Sequence, residues 1–185
     1  MLEEILFQYQ NLVHKVDQVW KNLRLHYDSH IICSPGCSHC CEVERTILSI
    51  EAYVVEQQLA TLSPQRLKKL RSRHRLKNDT RCPMLWGNLC AIYFARPIIC
   101  RTHGLPIFYC EAEITFIDYC RLNFTQLDKK YQFDDKFVLD MAEFNVELVR
   151  LDHQFAEFIL GKPWRPTNRQ SLRKILKNLT IKGPS

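Results

Sequence analysis

Apolar residues recur at spacings of three and four from the start of the chain. Leu2, Ile5, Leu6, Tyr9, Leu12, Val13, Val16, Val19, Trp20 and Leu23 fall on one face of a 3.6-residue helix, so a long amphipathic helix is expected over 2 to about 28. Helical spacing returns from Val43 to about Ala60, against the stiffness of its β-branched residues. Ser63-Pro64 reads as a helix start, with Ser as N-cap and Pro at the first helical position, and this helix is expected to run to about Lys77. From Asp134 to Leu160 a broad apolar face comprises Phe137, Val138, Met141, Phe144, Leu148, Leu151, Phe155 and Phe158, with Gly161 as the expected C-cap. A last short helix, about Asn168 to Leu179, shows Leu172, Ile175, Leu176 and Leu179 on one side.

Residues 78 to 125 break this rhythm. They show no periodicity and carry five of the nine cysteines and three prolines. A span that long without regular structure is unusual in a compact domain unless something else organises it. The expected fold is therefore mainly α: a single helical domain over 1–185, packed around an irregular cysteine-rich metal-binding centre. The centre would occupy 30–125, between flanking helices in 1–29 and 134–180.

Composition narrows the class. The 185 residues suffice for one substantial core, and 46% apolar residues set the chain apart from disordered sequences. Five glycines are few for a sheet protein rich in tight turns. MLEEILFQYQ has neither a basic n-region nor a cleavage site, and no apolar run approaches the roughly 18 to 20 residues that cross a bilayer. A soluble cytoplasmic protein without a membrane partner is the expectation. The net charge of +6 is uneven: eight Lys or Arg lie between Arg66 and Arg81 against the single acid Asp79, and seven follow Gly161 with no acid. Such basic helices suit a nucleic-acid or acidic partner, or simply form solvated helix faces.

The chemistry concentrates in CSPGCSHCC, which holds Cys33, Cys37, Cys40 and Cys41, and in Cys82, Cys90, Cys100, Cys110 and Cys120 beyond it. An odd count in a reducing compartment argues against a complete disulfide framework. Burial as a small hydrophobe suits an isolated cysteine such as Cys110. Four cysteines in nine residues point instead to soft thiolates converging on a metal. Pro35-Gly36 would bend the backbone so that separated sulfurs face inward. Adjacent Cys40 and Cys41 are expected to point apart, toward two sites or with one as a spare thiol. Neither half of the cysteine set looks self-sufficient, so a metal would join them and order the aperiodic segment. Zn²⁺ and an iron–sulfur cluster suit four thiolates equally well, and two metals could share eight cysteines.

Several neighbours bear on that site. His39 reads as an extra ligand or a surface histidine. Arg81, Arg96 and Arg101 beside the cysteines would offset thiolate charge or pair with local carboxylates. Trp86 and Tyr93 are expected to pack over the site.

The run C-x3-C-x2-C-C, then C-P-x-L, then C-x-I-Y-x-x-R-P-x-x-C-R resembles the YkgJ-like cysteine-cluster family, described as carrying a zinc- or iron-chelating domain. The matching residues are Cys33, Cys37, Cys40, Cys41, Cys82-Pro83, Leu85, Cys90, Ile92, Tyr93, Arg96-Pro97 and Cys100-Arg101, with Cys120-Arg-Leu-Asn-Phe124 as a further element. The resemblance covers about 30 to 125. It implies a zinc or iron–sulfur site built from Cys33, Cys37, Cys40, Cys41, Cys82, Cys90, Cys100 and Cys120. Flagellin lysine methylases carry a similar cluster, which raises a redox or protein-modifying enzyme as one alternative. A metal-stapled module that displays its basic helices is another. No S-adenosylmethionine site is recognisable, and the sequence names no catalytic residue, substrate or oligomeric state.

Overall fold

The computed structural model describes residues 1–73, 80–111, 113–128 and 130–179. Its helices are α1 (Leu2–His26), α2 (Ser49–Ala60), α3 (Pro64–Arg73), α4 (Ile98–Thr102), α5 (Ala142–Gln154) and α6 (Leu172–Asn178). Its strands are short: β1 (Thr46–Ile47), β2 (Leu85–Trp86), β3 (Leu89–Cys90), β4 (Ile107–Glu111), β5 (Ile114–Asp118), β6 (Leu139–Asp140) and β7 (Gln170–Ser171). The chain is mainly helical, as its periodicity predicts. Its residues group into two compact units, Met1–Ser34 with Ile98–Leu151 and Pro35–Pro97 with Asp152–Ser185. The cysteine-rich stretch is divided between them.

The first unit is built on α1. Ile5, Tyr9, Leu12, Val16 and Leu23 are its buried stripe, and acids Glu3 and Glu4 at its start and Arg24 and His26 at its end suit the helix dipole. Arg101 on α4 reaches α1, donating from Nη1 to both carboxylate oxygens of Asp17 at 2.9 and 2.8 Å. A small sheet has the order β5-β4-β6, antiparallel between β4 and β5 and parallel between β4 and β6, with Ile107 opposite Leu139. Leu23, Tyr27, Ile31, Leu105, Ile107, Phe124 and Leu139 close its core.

In the second unit α2, α3 and α6 pack around Ile47, Val55, Leu59, Leu70, Met84, Ile92, Leu172 and Ile175. Antiparallel β1 and β7 join distant parts of the chain, pairing Thr46 with Ser171 and Ile47 with Gln170. Asp152, fully buried, caps the start of α2: its Oδ1 accepts from Ile50 N at 2.9 Å and its Oδ2 from Trp164 Nε1 at 2.8 Å. The N-cap role of Ser63 is realised, its hydroxyl accepting from Arg66 N, and Gly161 follows the single π-turn Phe155–Ile159 with a φ of +60°.

Four sequence expectations need correction. The second helix starts at Ser49 and not near Val43, because Thr46 and Ile47 are extended to pair with β7. Residues 134–160 are not helical throughout: Asp134 caps a 3₁₀ turn, Leu139 pairs with β4, and helix begins only at Ala142. The aperiodic span 78–125 holds two hairpins and α4, whose pairings are too short to show as a sequence period. The basic helix is described to Arg73, and its expected end near Lys77 lies outside the described residues. Among the described residues no helix is long and apolar enough to cross a membrane.

Candidate metal centre

All nine cysteines are thiols. Four of them meet in the second unit. The chain bends at Gly36, which has a φ of +97°, and then forms the 3₁₀ turn His39–Cys41, in which Cys41 N donates to Ser38 O. That turn sets the sulfurs of Cys40 and Cys41 on the same side, 3.9 Å apart. Adjacent side chains point apart in extended backbone, and the tight turn is what overturns that expectation here. Cys82 N donates to Cys41 O at 2.7 Å, and the Cys82 thiol hydrogen-bonds the Cys41 thiol. Cys90 enters on the β2–β3 hairpin, paired with Leu85 and turned by Gly87 at a φ of +58°. Its sulfur accepts from Ile92 N–H. The group packs on the unit's core, with Cys82 buried and Cys41 and Cys90 partly buried against it.

Crowding makes these thiols hold their protons. The hydrogen bond to Cys41, then burial and the neighbouring thiol charge, push Cys40 far above the ordinary thiol range against the opposing pull of Arg96. For Cys41 the hydrogen bond with Cys40 lowers the pKa. The bond with Cys82, burial and the charges of Cys82 and Cys90 outweigh it, and Cys41 is pushed up to about 12. Burial raises Cys90, opposed by Ile92 N–H and Arg96 and reinforced by Cys40. A shared cation would reverse this balance, because each thiolate would then face positive charge. Among the described residues no three or more His, Cys, Asp or Glu side chains are already spaced to hold an ion. The Cys40–Cys41 edge is set, and the rest of the shell is not closed.

The other candidates fall elsewhere. Cys37 is half-buried on the same loop, and no hydrogen bond among the described residues joins it to the four. Cys33, Cys100 and Cys120 belong to the first unit. There Cys33 lies against Asn123, whose Nδ2 is 3.5 Å from its sulfur, and Cys120 and Cys33 both border Gly104. Cys110 is exposed on β4, so its expected burial is corrected: its strand leaves the thiol at the surface opposite Thr115. His39 is a surface residue paired with Glu42, Nδ1 to Oε1 at 3.0 Å.

The arginines separate by role. Arg101 takes a carboxylate partner, Asp17, whereas the charge of Arg96 acts on Cys40 and Cys90. Arg81 lends its carbonyl to Arg173 Nη2. Trp86 packs on the core beneath Lys69 Nζ, and Tyr93 lies under the Arg96 guanidinium. Asn123 and Gly104 were the residues that motif reading passed over as candidates. Asn123 stands inside the Cys-Arg-Leu-Asn-Phe element, which was its only signal.

A mainly helical chain with a cluster of thiols on short turns defines a cysteine-rich chelating domain. The family model described as "Putative zinc- or iron-chelating domain", with the signature CxxCxxCC, matches residues 32–130. That is more than half of the chain, and the chain belongs to this family. The match agrees with the YkgJ-like resemblance and supports metal binding through cysteines. No curated protein and no solved structure gave a significant match.

Proposed function

We propose that the protein holds one tetrahedral zinc ion through Cys40, Cys41, Cys82 and Cys90, and that the ion is structural. The carrying observation is the 3.9 Å between the Cys40 and Cys41 sulfurs. Two thiolates on one tetrahedral ion with metal–sulfur bonds of about 2.3 Å stand about 3.8 Å apart. In a [4Fe–4S] cluster each cysteine serves a different iron, which sets the sulfurs farther apart. The Ile92 N–H and the Arg96 charge both suit sulfur that accepts rather than donates.

A closed shell of four thiolates leaves no coordination position for substrate, which favours a structural site over an enzyme. The ion would cross-link the His39–Cys41 turn to the Cys82 loop and the β2–β3 hairpin. The interaction-module reading is weakened by the use of the basic residues within the unit. Arg71 donates to the carbonyls of Leu176 and Leu179, Arg173 binds Glu44, and Arg169 binds the Thr46 carbonyl.

Metal and acid-labile sulfide analysis of protein purified without oxygen tests the reading. Stoichiometric zinc without sulfide is expected. Cys41→Ser and Cys90→Ser should each lose the ion, whereas Cys37→Ser and Cys110→Ser should keep it. Iron with sulfide, or full metal content in Cys90→Ser, would overturn it.

A further inference from the structure

The first unit has a thiol arrangement that the four-cysteine site does not use. Asn123 is 1% exposed and crosses three segments of chain. Its Oδ1 accepts from Ile32 N at 3.1 Å, and its Nδ2 donates to Gly104 O at 2.7 Å. An amide nitrogen carries two hydrogens. The second is directed at Cys33 Sγ, 3.5 Å from Nδ2. The Ile32 N–H fixes which end of the amide is oxygen, so the nitrogen must face Gly104 and Cys33. The arrangement therefore presents a buried N–H to the Cys33 sulfur.

Gly104 forms the floor beneath this pair. Its φ is +98°, and a Cβ there would meet Cys33 Sγ at 3.1 Å, Asn123 Nδ2 at 3.2 Å and Cys120 Cβ at 3.7 Å. Two cysteines and the amide thus border one point that glycine leaves open. Asn123 N donates to Cys120 O at 2.8 Å, which ties the second cysteine to the same residue. N–H donors to sulfur orient ligating thiolates and tune their metals.

We propose that Cys33 and Cys120 form a second thiolate site, held by Asn123 over Gly104, for an exchangeable thiophilic divalent cation such as Zn²⁺ or Cd²⁺. This extends the thiolate-chelation reading above but uses none of its four ligands. Two thiolates supply half of a tetrahedral shell, so an ion there is reached by a competing chelator more readily than one enclosed by four. Binding exchanges each thiol proton for a metal–sulfur bond and releases the proton to solvent, with no change of oxidation state.

The test is Cd²⁺ loading of the full chain under reductant, followed by native mass spectrometry and by the decay of thiolate-to-Cd²⁺ absorption after chelator is added. Wild type should carry two ions and decay in a fast and a slow phase of similar amplitude. Cys33→Ser/Cys120→Ser should carry one ion and lose the fast phase, and the milder Cys120→Ala should speed that phase while leaving the slow one. Cys41→Ser/Cys90→Ser should keep the fast phase alone. Circular dichroism of each metal-free variant checks its folding. An unchanged fast phase in both Cys33 and Cys120 variants overturns the second site and leaves the four-thiolate reading standing. Loss of both ions in Cys41→Ser/Cys90→Ser also overturns it, because the thiols then act as one site. Two ions retained in that variant overturn the four-thiolate reading instead. A wild type that binds no Cd²⁺ overturns both.

Discussion

The guanidinium of Arg96 lies over the ring of Tyr93, its Cζ 3.8 Å from the ring centroid, while its Nε donates to the Tyr93 carbonyl at 3.1 Å. Ring and carbonyl together hold a permanent positive charge where it acts on Cys40 and Cys90. A divalent ion in four thiolates carries a net negative charge of two, which Arg96 partly offsets. Arg96→Gln is predicted to weaken zinc binding by roughly 10- to 100-fold, the usual range for partners that support ligands. Arg96→Lys should recover part of the loss, because it restores the charge but not the planar stack. Competition against a chelator of known affinity would measure both, and wild-type affinity in Arg96→Gln would refute the role.

Metal loading should be strongly pH-dependent. Cys41 is pushed up to about 12, and Cys40 and Cys90 are also raised, so the metal-free thiols are protonated at neutral pH. Each must lose its proton to bind, so binding weakens as pH falls and releases about one proton per ligating thiol. Calorimetry in buffers of different ionisation enthalpy would count them. The metal-free protein should behave oppositely at alkaline pH. Unfolded thiols lose protons near about 8.5 while the folded Cys41 retains its own, so stability falls as pH rises from there toward 12. A metal-free form whose stability is flat across that window would contradict the shift.

Asp152 is predicted to carry a large share of the second unit's stability. Its two carboxylate oxygens serve Ile50 N at the start of α2 and Trp164 Nε1. Asp152→Ala leaves both donors buried or half-buried without an acceptor and should cost about 2–3 kcal/mol in urea unfolding. Asp152→Asn keeps one acceptor and should cost less. Equal losses in the two variants would show that the hydrogen bonds are not the cause.

Glu44 binds Arg173 twice, accepting from its backbone N and from Nε at 2.9 Å each. Burial alone would raise this carboxyl. The hydrogen bonds of Arg173 and Ser171 and the Arg173 charge reverse that and hold it below the usual range. A depressed carboxylate stabilises the fold above its unfolded value of about 4.3, and this contribution is lost as pH falls through the lower folded value. Glu44→Gln should therefore cost about 1 kcal/mol at neutral pH and flatten the acid limb of the stability profile. An acid limb as steep as wild type would assign the loss to other carboxylates.

Where local chemistry decides, the sequence alone was sufficient. The stripe of α1, the Ser63 cap, the turn at Gly36 and the Leu172–Ile175–Leu176 face of α6 depend on residues three or four positions apart, and their periodicity carries them. The cysteine spacing alone also marked the family, because ligands that close on one ion must sit on short, bent segments.

What only the tertiary structure decided rests on contacts between distant residues. Thr46 and Ile47 are extended because β7 is there to accept them, whatever their helical spacing suggests. Asp152 caps a helix from the far end of the chain, and Asn123 finds Cys33 only after Ile32 and Gly104 have been brought beside it. The same holds for the cysteines. Spacing says that thiols will converge, but the 3₁₀ turn at Cys40–Cys41 and the arrival of the Cys90 hairpin choose which sulfurs meet. That choice is made by the packing of whole segments, and no local pattern encodes it.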